Sequence, residues 1–340
     1  MFLSIWSLAL TGCGAIALFL IAVAARTGWR VLRHWDPASD DALQISLESE
    51  TWLASTLIEY GLALQILTLL LFVLAADQFS HVIAGAMCAT GSLLADPFGM
   101  PTLYVKLAGV FLYGFWLLLH QLDIRVETYP LVRVKFIYLL CLLPFLLTDV
   151  ILQTLYIAGL KPDIITSCCS VVFAEPGPDS GNLMGIPPRG LLLSAYYGTI
   201  LGLGGLGGLL LKGGSWVGRF RGICIWLYAV AWTGFFPLAL AVITSILSCY
   251  IYAMPNHRCP FCLLKPEYHY IGLGIYAALI GGAFFGSSTG IAALIGRHPD
   301  LTITAARYQR TAVQISLALL ALFTILTSFH YLRYLISGGE

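Results

Sequence analysis

Charge is what this sequence has least of. Only 10% of its 340 residues are Asp, Glu, Lys or Arg, while 59% are hydrophobic; an average soluble domain is roughly 25% charged. The formal net charge is +1 and no run of like charge occurs, so the chain lacks the basic face that a nucleic acid or polyanion needs. Recognisable cofactor motifs are missing too. There is no Walker loop, no G-x-G-x-x-G leading from a strand into a helix and no H-E-x-x-H, which removes the usual routes to phosphate, dinucleotide and zinc-hydrolase chemistry. No C-x-x-C-H is present and no two histidines are placed to face each other at depth, so an intrinsic haem is not expected. A basic segment ahead of the first apolar run is also absent. Leu10-Thr11-Gly12-Cys13 has the outline of a lipoprotein cleavage site, but the run continues to Ala25 and the arginines follow it. That order predicts an uncleaved first helix.

What fills the sequence is apolar runs of the length that crosses a bilayer, about 20 residues each. They fall at 4–25, 52–76, 102–120, 135–159, 190–211, 222–252, 269–296 and 311–336. The expected fold is therefore all-α, a polytopic integral membrane helix bundle of about eight transmembrane helices, read as one membrane domain over 1–340. Twelve of the eighteen Lys and Arg flank the connections after spans one, three, five and seven, as in Arg26, Arg30 and Arg33 or Arg297, Arg307 and Arg310. Basic residues are retained on the cytoplasmic side. The expectation is a bacterial cytoplasmic membrane with both termini exoplasmic. Cys88, Cys168, Cys169, Cys259 and Cys262 then all fall on the outer side, where thiols can pair. Cys13, Cys141 and Cys224 lie within spans, where a thiol is an ordinary small apolar residue.

The connections differ in character. Asp36 to Glu50 reads as a helix lying at the interface before entering span two. Asp77 to Pro101 is mostly apolar with small residues around Met87 and Cys88, and reads as a packed segment dipping towards the outer leaflet. Lys161 to Arg189 carries the vicinal Cys168 and Cys169, which can join each other only in a strained ring and so are expected to reach other groups. Spans five and seven are rich in glycine, Gly198 to Gly208 and Gly282, Gly286 and Gly290. Close helix packing is the expectation, with a groove for a flat tail as the alternative.

Ionisable groups in hydrocarbon cost several kcal/mol and are functional candidates by default. Asp149 is the deepest, about 21 Å into span four at helical rise, with Gln153 one turn on along the same face. It is a candidate proton-handling or quinone-contacting group, or else a partner for Lys106 or Arg333.

One local pattern names a chemistry: His257-Arg258-Cys259-Pro260-Phe261-Cys262-Leu263-Leu264, running into an apolar glycine-rich span. Two thiols two residues apart can close a disulfide or share a soft metal ion. With its position at the outer end of a span, C-P-F-C-L-L resembles the membrane thiol oxidoreductases of the DsbB and vitamin K epoxide reductase families; the whole chain otherwise looks like a bacterial multi-pass membrane protein. The resemblance implies that Cys259 and Cys262 exchange electrons with a quinone. It also implies a second pair, for which Cys168 and Cys169 are the candidates, that passes oxidising equivalents to a partner. Arg258 and His257 would stabilise a thiolate beside them. Two other readings stand beside this one. His257, Cys259, Cys262, Cys168, Cys169 and Cys88 are donors suited to Cu(I), Zn(II) or Hg(II). Alternatively the cysteines staple outer loops in a structural or docking subunit of a larger membrane complex, with membrane lipid and other membrane or exoplasmic subunits as partners.

Overall fold

The computed structural model describes residues 3–36, 41–161, 189–212, 215–254, 257 and 259–337. Among them there is no β-strand, and eight helices are long and apolar enough to cross a membrane. The chain divides into two compact units, Met1–Ser167 and Cys168–Glu340.

The first unit comprises α1 (Ile5–His34), α2 (Ala42–Ser80), a short α3 (Ala89–Leu94), α4 (Gly99–Asp123) and α5 (Val132–Gly159). Ser4 caps α1, its hydroxyl accepting from the Ser7 N–H at 3.1 Å. The buried positions of α1 include Leu10, Gly14, Ala17, Ile21, Ala24, Gly28 and Val31, alternating steps of four and three, so one stripe of mainly small residues faces inward. A Cβ on Gly28 would stand 2.8 Å from the Phe136 ring, and one on Gly61 3.0 Å from Ile21. The four long helices close a ring: α1 packs on α2 and α5, and α4 packs on the same two. Trp116, Phe136, Leu139 and Ile58 are fully buried in the core between them.

The helices outrun the apolar segments read from the sequence. The 39 residues of α2 reach about 58 Å at 1.5 Å per residue, nearly twice the hydrocarbon thickness of about 30 Å. The segment expected to lie flat at the interface before span two is instead the first turns of α2, unbroken from Ala42, with Gln44 and Leu47 buried. The segment after α2 packs tightly: a Cβ on Gly91 would meet Ala86 at 2.9 Å, and Ser92 donates to the Ala76 carbonyl at 2.5 Å.

The second unit comprises α6 (Arg189–Lys212), α7 (Ser215–Val242), α8 (Ile271–Ile295) and α9 (Thr302–Ser337). A π-helical turn, Ile243–Leu247, follows Pro237 by six residues and leads into a final turn, Ser248–Tyr252. Here α8 packs on α7 and α9, and α6 on the same two. Hydroxyl pairs tie the helices where lipid gives no hydrophobic drive: Tyr196 with Thr327 at 2.9 Å, Tyr228 with Ser316 at 2.7 Å, Ser288 with Tyr308 at 2.8 Å.

The two glycine-rich helices differ. On α8 close packing is as expected, Gly282 and Gly286 lying under the Trp232 ring and Gly290 beside Ala229. On α6 only Gly207 meets a neighbour, Leu317, and Gly198, Gly202, Gly204, Gly205 and Gly208 have nothing within 4 Å of where a Cβ would be. This contrast sets opposite signs for one substitution. Gly286→Ala would place a methyl 2.1 Å from Trp232 and should destabilise by about 1–3 kcal/mol. Gly202→Ala has open space and should be neutral or stabilising by about 0.5–1 kcal/mol through helix propensity. Thermal unfolding of both variants in the same detergent checks the pair.

Candidate functional site

The C-x-x-C segment lies between the end of α7 and the start of α8, and its backbone is forced into shape on both flanks. Ala253 (φ 52°), His269 (φ 52°) and Tyr270 (φ 54°) are left-handed, three of the four non-glycine residues with positive φ among those described. Each costs of order 1 kcal/mol or more, and such strain persists only where the surroundings impose it. The imposing contacts are visible. Tyr252, on the last turn of the α7 run, donates its hydroxyl to the Cys259 carbonyl, and Tyr276, on α8, donates to the Pro260 carbonyl at 2.7 Å. A 3-10 turn follows at Cys262–Leu264, closed by Leu264 N–H to the Phe261 carbonyl and Lys265 N–H to the Cys262 carbonyl, both 3.0 Å. Leu263 is fully buried and seats this turn on Gly272, where a Cβ would come within 2.8 Å of it.

This clasp holds the two sulfurs together. The Sγ atoms of Cys259 and Cys262 lie within 4.8 Å of one another. Cys259 is 0% and Cys262 7% exposed, so both thiols are buried, Cys259 the more completely. Around them stand Tyr252, with the His257 imidazole edge-on at 4.5 Å between centroids and the Tyr268 ring at 4.5 Å. Cys249 donates its S–H to the His257 carbonyl at 3.6 Å, which ties the descending helix to the start of the loop. Burial, then the adjacent Cys262 and Glu267, push the Tyr268 phenol above its ordinary value, so this ring is a neutral hydrogen-bond donor at any physiological pH.

Removing one clasp should loosen the site without emptying it. Tyr276→Phe leaves the part-buried Pro260 carbonyl without its donor, at about 1 kcal/mol. The expected result is faster alkylation of Cys259 and Cys262 by a small thiol reagent, with the helical content unchanged; an unaltered alkylation rate would show that the hydroxyl does not hold the loop.

The other expected site residues are distributed as follows. Arg258, Cys168 and Cys169 lie outside the described residues. Cys88 is buried in the first unit, at the N-cap position of α3. Cys13, Cys141 and Cys224 are free thiols on long helices.

Asp149 is completely buried, and of its two candidate partners it takes Lys106. The ammonium is 3.0 Å from Asp149 Oδ1, with the two side chains 1% and 0% exposed. Oδ2 accepts from the Gln65 amide at 2.7 Å and from the Tyr113 hydroxyl at 3.4 Å. Lys106 in turn donates to Thr68 Oγ1 at 3.1 Å and lies 5.8 Å from the centre of the Phe72 ring. The cluster joins α2, α4 and α5. Gln153, on the same face of α5, donates to the Leu10 carbonyl at 3.0 Å, which extends the polar tie to α1.

A second buried pair escapes sequence reading. Lys135, one of the twelve basic residues that flank the connections after the odd-numbered spans, is buried with Asp123 at 2.9 Å. Asp123 also accepts from the Leu131 N–H at 2.8 Å, and Trp116 donates to the Lys135 carbonyl at 3.0 Å. The available signal was an opposite-charge pair flanking a short turn between two spans.

No family model, curated protein or solved structure matches the chain.

Proposed function

We propose that this multi-pass membrane protein carries a dithiol–disulfide couple, Cys259 and Cys262, at the rim of a membrane span, and that it passes electrons from a protein dithiol to a membrane-soluble quinone. The observation that carries the reading is the clasped C-x-x-C, two buried sulfurs within 4.8 Å of one another on a loop whose carbonyls are pinned by two tyrosines. A pair this close needs only a small movement to form the S–S bond.

The electron count closes. The two thiols give up two protons and two electrons as the S–S bond forms, and a benzoquinone takes up both to become the quinol. The disulfide is reduced again when an external thiolate attacks one sulfur and releases the other as a thiolate; the second thiol of the external dithiol then attacks the external sulfur of the mixed disulfide, closes its own disulfide and releases the remaining cysteine. In this reading Cys262, the less completely covered of the two, receives the attack, and Cys259 is the thiol released and later used to close the ring. By the distribution of Lys and Arg the loop faces the exoplasm, where such exchange is sustained. The reading rests on the cysteines; Asp149, held by Lys106, is not required by it.

The test is made on the whole protein in liposomes. Reduced protein should lose two alkylatable thiols when a short-chain benzoquinone is added, and neither Cys259→Ser nor Cys262→Ser should show that loss. Thiols that stay reduced in excess quinone would refute the proposal.

The burial of both sulfurs favours one other reading. Two fixed, shielded sulfur donors suit a soft ion such as Cu(I). Metal analysis of protein purified without chelator decides: close to one equivalent of copper or zinc, lost in Cys259→Ser, would replace the redox reading with metal handling.

A further inference from the structure

At the end of the first unit where α1 leaves and α2 enters the apolar zone, the two helices part to leave a cleft of about 300 Å³. Its lining is divided along the helix axes. Arg26 and Arg30 of α1 and Glu50 of α2 line the end nearer the connecting loop. Val23 of α1 with Leu53 and Leu57 of α2 line the deeper end. Since α1 runs towards the loop and α2 away from it, rising number on one and falling number on the other both mean shallower, so the charged and apolar ends are sorted by depth.

Two tryptophans fix that depth. Trp29, next to Arg30, and Trp52, two residues after Glu50, are 52% and 71% exposed. Exposed tryptophan on a membrane helix belongs at the headgroup level, where its apolar ring and polar N–H are both accommodated. The charged end of the cleft is therefore at the headgroups and the apolar end among the acyl chains.

The charges select among headgroups. Arg30 is paired with Glu50 at 2.5 Å, and Arg26 is exposed with no ion pair among the described residues. Two guanidiniums against one carboxylate leave a single positive charge. Guanidinium is the side chain best matched to phosphate oxygens.

We infer that this cleft binds one anionic glycerophospholipid, its phosphodiester on Arg26 and Arg30 and an acyl chain along Val23, Leu53 and Leu57. A lipid of net charge −1 neutralises the cleft; a zwitterionic lipid leaves the charge of Arg26 unmatched. The site is independent of the thiol chemistry and lies in the other unit.

The test is lipid retention by the full-length protein, measured by native mass spectrometry with phosphatidylglycerol, phosphatidylcholine and inorganic phosphate as competing probes. Wild type should retain phosphatidylglycerol in preference to phosphatidylcholine. One basic residue at an anionic surface contributes on the order of 1 kcal/mol, so Arg26→Gln should weaken phosphatidylglycerol retention about fivefold and Arg26→Lys should restore most of it. Arg33→Gln removes an equal charge from the same helix end, at a residue that lies over the Trp29 ring, 4.7 Å from its centre, and should have little effect. Equal retention of the two lipids by wild type, equal losses in Arg26→Gln and Arg33→Gln, or displacement of the lipid by millimolar phosphate would each overturn the assignment. Arg26 is exposed, so its replacement should leave unfolding unchanged, which separates lost binding from lost fold.

Discussion

Replacing Lys106 by methionine should destabilise the protein by about 3–5 kcal/mol, and Asp149→Leu should cost a similar amount, because each leaves an uncompensated charge in a dry interior. The surroundings explain the size. With Lys106 gone, Asp149 keeps only the Gln65 amide at 2.7 Å and the Tyr113 hydroxyl at 3.4 Å, and neither neutralises a carboxylate. With Asp149 gone, the ammonium has Thr68 and the Phe72 ring face, contacts worth far less than a counter-ion in a medium of low dielectric. The double variant Lys106→Met/Asp149→Leu should recover most of the loss, since apolar groups of similar volume replace a buried pair at little or no cost. Reversible unfolding in detergent measures all three. Single variants as stable as wild type would mean that water reaches the cluster and the pair is not a tie between helices. A buried ion pair can also fix helix register in a mostly apolar bundle, and the double variant tests this by whether it remains a single ordered species.

Exchanging the two cysteines for serine one at a time should give unequal results. Both variants lose ring closure and should fall to the background rate of quinone reduction. Cys259→Ser keeps the more exposed sulfur, so the Cys262 thiolate should attack added glutathione disulfide, release one glutathione and keep the other as a mixed disulfide with no neighbouring thiol to resolve it. Cys262→Ser leaves only Cys259, which is 0% exposed, and should trap little or nothing. Equal trapping by both would show that the buried thiol is reached as easily as its neighbour and would reverse the assigned order. Arg258, named from the sequence as a thiolate stabiliser, can be judged in the same assay by the pH at which trapping begins, since loss of a neighbouring cation should move that onset upward.

The eight membrane helices were legible because each needs only about 20 apolar residues in a row, and that signal survives without any knowledge of neighbours. Their ends were not. Nothing in hydropathy distinguishes a helix that stops at the headgroups from one that continues into water, and α2 continues through Gln44 and Leu47 because other residues of its unit bury them. The C-x-x-C was legible as a local spacing. Its clasp was not, since the two tyrosines come from positions 7 and 16 residues away on different helices. Asp149 stood out as a carboxylate in an apolar run and its pairing with Lys106 was one of two options. Gln65 was missed because an amide in a span carries no charge to draw notice, and Lys135 because a cation near a turn reads as a solvated one until Asp123 is found beneath it. The glycines of α6 and α8 are alike in sequence and differ only in what stands opposite, Trp232 in one case and open space in the other.

The reduction midpoint of the Cys259–Cys262 pair, read by alkylation across a series of glutathione or dithiothreitol buffers, separates a working redox couple from a structural one. A pair that cycles between partner thiols and quinone should titrate within about −270 to −120 mV, the span of catalytic dithiols. A midpoint below about −300 mV, where structural disulfides sit, or sulfurs that fail to titrate because a metal ion holds them, would contradict the redox reading.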